Sequence, residues 1–209
     1  MTATELLLIR HGEDWSRADA AGSQSAQGLT GRGLAQAQAL AAYLAQEVAR
    51  LGTIAALYSS PLLRCLETAT PIAHALRLTA NLAPQLRPDG DEWERVGRFL
   101  TQLCEVHRSG RVVVVGHAST LTAASSAFSR ATAGSGDFAL ATLGHGWLSR
   151  WRYEDEQPER TARWTLLQHC DLEQLRLDFP HAAPTTQPAA LPRRSQRADL
   201  PTGPVGERR

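Results

Sequence analysis

Short apolar runs alternate along the chain with longer segments in which apolar residues recur at helical spacing. The runs at 6–9, 54–58 and 112–115 are typical of buried strands. The segments 31–50, 61–76, 92–107 and 119–127 are predicted to be helices. Strands that alternate with helices indicate a helix-covered, mostly parallel sheet. The pattern therefore predicts an α/β fold, a three-layer α/β/α sandwich with a mostly parallel central sheet.

Serine, proline and glycine residues help to predict where the remaining elements begin and end. Ser60 is predicted to cap a helix whose first position is Pro61, because a hydroxyl accepts well there and proline suits the first turn. Segment 77–90 is predicted to be irregular, since it carries two prolines and a glycine. Segments 147–153 and 162–167 are predicted to pair as antiparallel strands at the edge of the sheet.

Composition limits the classes of function. The chain has 209 residues with 43% apolar and 21% charged, which fits one domain with a sizeable core. The domain is predicted to span 1–179, and the segment 180–209, rich in Pro, Ala and Arg, is predicted to be a disordered tail. The net charge of +1 gives no indication of nucleic acid or membrane as a partner. No signal peptide or membrane span is evident, so a cytoplasmic location is expected by default.

Cationic and imidazole side chains follow the predicted strands. Arg10 and His11 end the first strand, His117 follows the third, and Arg64 lies in the first turn of the helix after the second. Ligands of open α/β folds bind at the carboxyl edge of the sheet, so these side chains are expected to meet there. Two arginines, two histidines and a helix N-terminus together suit a tetrahedral dianion such as phosphate. Imidazole is also a competent nucleophile near neutral pH.

Four motifs resemble those of the histidine phosphatase superfamily, the phosphoglycerate mutase-like proteins. They occur in the family's order as LIRHGE at 8–13, LTGRG at 29–33, YSSPLLRCLETA at 58–69 and VVGHA at 114–118. The resemblance implies a metal-independent phosphatase that needs no cofactor and hydrolyses phosphomonoesters through phosphohistidine on His11. It also implies that Arg10, Arg64 and His117 hold the phosphoryl oxygens, with Glu13 in a secondary role. The substrate would be a phosphorylated small molecule or a phosphoprotein.

Two positions depart from the family's pattern. Arg17 stands where many members have an asparagine. The segment that often carries the family's acidic proton donor reads Leu-Arg-Pro at 86–88, and proline cannot donate a proton. Asp91 and Glu92 are the candidate acids; alternatively, they only favour the start of the following helix electrostatically.

The loss of the usual proton donor would have a chemical consequence. Proton donation to a leaving group contributes about 10²–10⁴-fold, so a site without it favours activated phosphates such as phosphohistidine. Two alternatives therefore stay open. One is a phosphatase for phosphohistidine or other activated phosphates that uses the same mechanism. The other is a non-catalytic phosphate-binding module. His145 either lines the pocket from its loop or is an ordinary turn histidine, and the second interpretation is preferred.

Overall fold

A six-stranded sheet forms the centre of the protein. The structure, a computed structural model, describes residues 3–15, 27–88, 92–131, 144–154 and 163–170. The order across the sheet is β3-β2-β4-β1-β5-β6, in which the first four strands are parallel and the last two pair antiparallel. The predicted mostly parallel sheet and its antiparallel edge are both confirmed. The strands are β1 (Ala3–Arg10), β2 (Ala56–Ser59), β3 (Ala80–Leu82), β4 (Arg111–Gly116), β5 (Leu148–Glu154) and β6 (Arg163–Cys170).

Helices cover both faces of this sheet, because alternate residues of each strand point to opposite faces. The helices are α1 (Gly31–Leu51), α2 (Leu63–Leu76), α3 (Glu92–Val106) and α4 (Ala118–Ala131). On one face, Leu6 and Leu8 of β1 pack with buried residues of α3 and α4. On the other face, Leu7 and Ile9 pack with buried residues of α1 and α2. The result is the predicted three-layer sandwich.

The register of the central strands decides where the site forms. Arg10 pairs with Gly116 across β1 and β4, and Ser59 pairs with Val115 across β2 and β4. The three strands therefore end at the same level. The residues that follow them, which include His11 and His117, emerge side by side at the carboxyl edge.

The start of α2 differs from the prediction. The helix begins at Leu63, and Leu62 is its N-cap without a side-chain hydrogen bond. The prediction that Ser60 is the N-cap of this helix is wrong. The Ser60 hydroxyl lies 2.9 Å from Nε2 of His117, so it serves the edge of the sheet instead.

The segment predicted to be irregular contains a short strand. β3 pairs in parallel with β2, and a short 3₁₀ helix, Pro84–Leu86, follows it. The three residues of β3 lack the buried apolar pattern of a central strand. They lie at the edge of the sheet and are partly or fully exposed.

Three further points complete the description. Cys65, Cys104 and Cys170 are buried and form no disulfide. Among the helices of the described residues, none has the length and apolarity needed to cross a bilayer. The predicted tail at 180–209 lies outside the described residues.

Candidate active site

His11 lies directly after β1 and is fixed on both sides by backbone hydrogen bonds. Its amide donates to the carbonyl of Gly116 (3.0 Å), and its carbonyl accepts from the amide of Gly146 (3.1 Å). The ring Nδ1 donates to the carbonyl of Gly12 at 2.8 Å. Because a carbonyl only accepts, the proton of the neutral ring is on Nδ1. Nε2 therefore carries the lone pair that a nucleophile needs.

Burial keeps this imidazole uncharged. His11 is only 5% exposed, and burial lowers its pKa to about 4. The positive charges of Arg64 and Arg10 lower the pKa further, whereas the Gly12 carbonyl and the Asp14 carboxylate raise it. At neutral pH the ring is accordingly in the form that can attack an electrophile.

His117 lies beside His11 at the end of β4 and just before α4. The centroids of the two rings are 5.3 Å apart. The pKa of His117 is lowered to about 2 by burial, then by His11, Arg64 and Arg10. Its Nε2 lies 2.9 Å from the Ser60 hydroxyl, which follows β2. Three strand ends thus contribute to one cluster.

Two arginines border the histidines. Arg10 is the last residue of β1, and its Nη2 lies 2.9 Å from Nε2 of His145. Arg64 is the second residue of α2, and its side chain is 7% exposed. Its Nε lies 3.5 Å from Oδ2 of Asp14. The structure therefore brings Arg10, His11, Arg64 and His117 to one edge of the sheet, as the sequence predicts.

A buried hydroxyl links the loop after β1 to α2. Thr68 Oγ accepts a hydrogen bond from the Gly12 amide at 3.1 Å and donates to the carbonyl of Arg64 at 2.7 Å. One side chain therefore ties the backbone after His11 to the turn that carries Arg64. This contact explains why an arginine and a threonine four residues apart accompany Arg-His-Gly.

The start of α1 packs against the same loop with almost no space between them. A Cβ at Gly12 would lie 2.5 Å from the carbonyl oxygen of Gly33, and a Cβ at Gly33 would lie 2.0 Å from that of Glu13. Thr30 caps α1 through its hydroxyl, which accepts from the Gly33 amide at 3.0 Å. The Thr30 amide donates to the Glu13 carbonyl at 2.8 Å. The segment 29–33 therefore braces the loop that holds His11.

A comparison with models of protein families agrees with the resemblance that the sequence motifs indicate. Residues 6–94, which include three of the four motifs, match the family model of the histidine phosphatase superfamily, branch 1. The resemblance to the histidine phosphatase superfamily is confirmed. A comparison with curated protein sequences gave no match.

Solved structures share the histidine phosphatase fold. A mycobacterial glucosyl-3-phosphoglycerate phosphatase is 19% identical with a TM-score of 0.62, covering 79% of this chain and 97% of that chain. The protein histidine phosphatase SixA, complexed with tungstate, is 21% identical with a TM-score of 0.60, covering 82% and 99%. A phosphoserine phosphatase mutant from Entamoeba histolytica, in complex with phosphoserine, is 19% identical with a TM-score of 0.61, covering 82% and 99%.

Two further residues, Asp14 and His145, lie in this site. Asp14 is buried, and its Oδ1 lies 3.7 Å from Nε2 of His145. The ring of His145 lies in a turn, as predicted, yet its centroid is 5.4 Å from that of His11. The structure therefore supports the less favoured interpretation, in which His145 lies beside the pocket. The signal was present in Arg-His-Gly-Glu-Asp and Gly-His-Gly, but only the pairing of β5 with β1 brings the two segments together.

The carboxylate of Glu13 points to the start of α1. It accepts a hydrogen bond from the Thr30 hydroxyl at 2.9 Å and lies 3.5 Å from Nη1 of Arg32. Glu13 therefore stabilises the packing of α1 on the loop, which is a supporting part like the secondary role that the resemblance implies. Of the remaining predicted residues, Arg17 and Asp91 lie outside the described part. Glu92 begins α3, and its side chain is outside the described part as well.

One group of side chains has the donor set for a metal ion. His11, Asp14 and His145 place one ligand atom each within 4.8 Å of one another. Two arginines contact the same residues, since Arg10 contacts His145 and Arg64 contacts Asp14. A cation at this point would be repelled by both guanidinium groups, so the electrostatics favour an anion.

Proposed function

We propose that the protein is a phosphatase that hydrolyses phosphomonoesters through a phosphohistidine on His11. The observation that carries this proposal is the state of that ring. Its Nδ1 proton is held by Gly12, its Nε2 lone pair is available, and its charge is suppressed by burial. Nucleophilic catalysis by histidine requires this form of the ring.

In the first step, Nε2 of His11 forms a bond to phosphorus while the bond from phosphorus to the leaving oxygen breaks. The electron pair of that bond goes to the leaving oxygen. Arg10, Arg64 and His117 surround the phosphoryl oxygens and stabilise the charge that they carry in the transition state. Guanidinium groups are suited to this work because they are planar, permanently charged and bind two oxygens at once.

In the second step, water attacks phosphorus and the bond to Nε2 breaks. The electron pair of that bond returns to Nε2, so the ring is neutral again and inorganic phosphate leaves. The proton lost by the water goes to the phosphate or to solvent. Neither step needs a metal ion or another cofactor in this scheme. The guanidinium groups supply the positive charge.

The proton donor to the leaving oxygen stays assigned to Asp91 or Glu92, which precede or begin α3. The test compares an alkyl with an aryl phosphate in Asp91→Asn and Glu92→Gln. Loss of the donor slows alkyl phosphates by about 10²–10⁴-fold and aryl phosphates much less. Equal effects on both substrates in both variants would remove these residues from the role.

A second candidate is a phosphatase for phosphohistidine or other activated phosphates. The connection from β3 to α3 favours it. That segment is short, and Ala83 and Leu86 within it are buried in the core. The described part of this connection therefore adds no lid over the site, which leaves room for a protein substrate. SixA, a protein histidine phosphatase, shares the fold.

The decisive experiment is to trap the intermediate. The protein is mixed with p-nitrophenyl phosphate carrying labelled phosphorus and quenched. The expected label is stable in alkali and lost in acid, as phosphohistidine is, and it disappears in His11→Ala. His107→Ala is the matched control, because His107 contacts Tyr58 away from the site and should keep full labelling.

Two results would decide against catalysis. If His11→Ala keeps the turnover of the unchanged protein, His11 is not the nucleophile. If the unchanged protein binds phosphate but gives neither label nor turnover, the chain is a phosphate-binding module.

A further inference from the structure

Asp14 is an unexpected residue in a site that binds phosphate. Its side chain is 2% exposed, and its backbone is held by a bridge to Leu29. It lies close to the nucleophile, since one carboxylate oxygen is within 4.8 Å of a ring nitrogen of His11. A buried anion at this distance opposes the binding of a second anion.

The carboxylate also engages the groups that would hold phosphate. Oδ2 lies 3.5 Å from Nε of Arg64, and Oδ1 lies 3.7 Å from Nε2 of His145. His145 in turn contacts Nη2 of Arg10 at 2.9 Å. Asp14 is therefore linked to both arginines of the proposed clamp, directly to one and through an imidazole to the other.

The balance of charge follows from these contacts. Arg10 and Arg64 are cations at every relevant pH. The imidazoles of His11 and His117 add no positive charge near neutrality, because burial lowers the pKa of each ring. The carboxylate of Asp14 therefore offsets one of the two fixed positive charges beside the nucleophile.

We propose that Asp14 is an internal competitor that weakens the hold of the site on phosphate and so speeds product release. This inference rests on the proposed function, because release matters only if His11 turns substrate over. Inorganic phosphate leaves with two negative charges near pH 7, and a site with two uncompensated arginines would retain it. A carboxylate that shares Arg64 with the product lowers that affinity.

A purely orienting role for Asp14 predicts the opposite sign. If the carboxylate only fixed the guanidinium of Arg64, its removal would weaken the binding of phosphate and raise KM. If it competes with phosphate, its removal strengthens binding and lowers KM. The direction of the change therefore separates the two roles without reference to its size.

The test measures binding of inorganic phosphate to the full chain by calorimetry, with Asp14→Asn against the unchanged protein. The expected result is a Kd lower by on the order of 10-fold, given the strength of a like-charge contact at this separation. With p-nitrophenyl phosphate, KM and the inhibition constant of phosphate fall together, and kcat falls as release slows. An unchanged or higher Kd would overturn the proposal.

Glu5→Gln is the matched control, because its carboxylate also pairs with arginines, Arg111 at 3.5 Å and Arg152 at 3.7 Å, but at the opposite end of β1. Its Kd for phosphate should stay within about twofold. An equal gain in Glu5→Gln would mean a general effect of charge and would also overturn the proposal. If Asp14→Asn does not fold, Asp14→Ser is measured against the same criterion.

Failure of the proposed function gives a different pattern. If Asp14→Asn binds phosphate more tightly but His11 is never labelled, Asp14 competes with phosphate and the proposed catalytic cycle is wrong. If His11 is labelled but Asp14→Asn leaves the Kd for phosphate unchanged, the catalytic cycle stands and the proposed competition by Asp14 is wrong.

Discussion

Each end of the central sheet buries a carboxylate among arginines, but the groups beside these ion pairs differ. Near the amino ends of β1 and β4, Glu47 of α1 accepts a hydrogen bond from Arg150 and lies 3.6 Å from Nη2 of Arg111. Arg111 also pairs with Glu5 at 3.5 Å. Two largely buried arginines there each contact a carboxylate, and the more exposed Arg50 and Arg152 contact the same two carboxylates. This end is therefore a network of ion pairs.

At the carboxyl end, the two arginines face one carboxylate among the described residues. Asp14 pairs with Arg64 and, through His145, reaches Arg10. These two arginines lie beside the imidazole of His11, which is uncharged and has an available lone pair. The same pairing of arginine with carboxylate therefore belongs to an ion-pair network at one end and to the proposed phosphate site at the other. The buried histidines of the carboxyl end separate the two.

The largest effect is expected from Glu47→Ala, which leaves Arg111 and Arg150 buried without their shared partner. Breaking a buried ion pair in this way costs about 3–5 kcal/mol. Urea denaturation should show that loss in the free energy of unfolding, while kcat/KM per folded molecule stays the same. A loss below about 1 kcal/mol would show that this end is not the structural one.

The next effect is on catalysis. Arg64→Ala removes a donor to the transition state, so kcat/KM for p-nitrophenyl phosphate should fall by about 10²–10³-fold. Arg111→Ala is the matched control at the other end of the sheet and should leave kcat/KM of the folded protein within about threefold. Similar losses in the two variants would erase the distinction between the ends.

Acid should weaken the fold through the imidazoles of the carboxyl end. The folded pKa is about 4 for His11 and about 2 for His117, below the ordinary 6.5 of the unfolded chain. The unfolded state therefore binds more protons between these values, and the free energy of unfolding falls as the pH drops below about 6.5. Urea titrations from pH 7.5 to 5 should show this slope. His11→Ala and His117→Ala should each reduce it, and an unchanged slope in both would contradict the assignment.

The smallest effect is expected from α1, which joins the two ends. Gly33→Ala places a Cβ against the Glu13 backbone, where there is no space, and should cost about 1–3 kcal/mol. Gly31→Ala is the control, since nothing lies within 4 Å of its Cβ and alanine favours helices by up to about 1 kcal/mol. Thermal denaturation compares them. Equal midpoints would show that the packing of α1 on the loop is not tight.

The sequence predicted those parts of the fold that local pattern controls. The apolar run at 112–115 became the fully buried strand β4, and the antiparallel pair at the edge became β5 and β6. The start of α2 was misplaced because a serine and a proline are good helix starters in isolation. In the folded protein the hydroxyl of Ser60 lies against His117 instead. A tertiary contact outweighed the local preference.

By itself the sequence determined the four cationic and imidazole residues of the site. Arg10, His11, Arg64 and His117 each adjoin a strand end, and parallel strands bring their ends to one edge. Their positions follow from sequence because each is set by the strand beside it.

Only the tertiary structure decided that Asp14 and His145 join them. The two residues are far apart in sequence, and they meet because β5 pairs with β1 and the turn before β5 hydrogen-bonds to the His11 backbone. Neither segment carries a local signal for that pairing. The charge balance of the site depends on Asp14, so it became visible only when the strands were placed side by side.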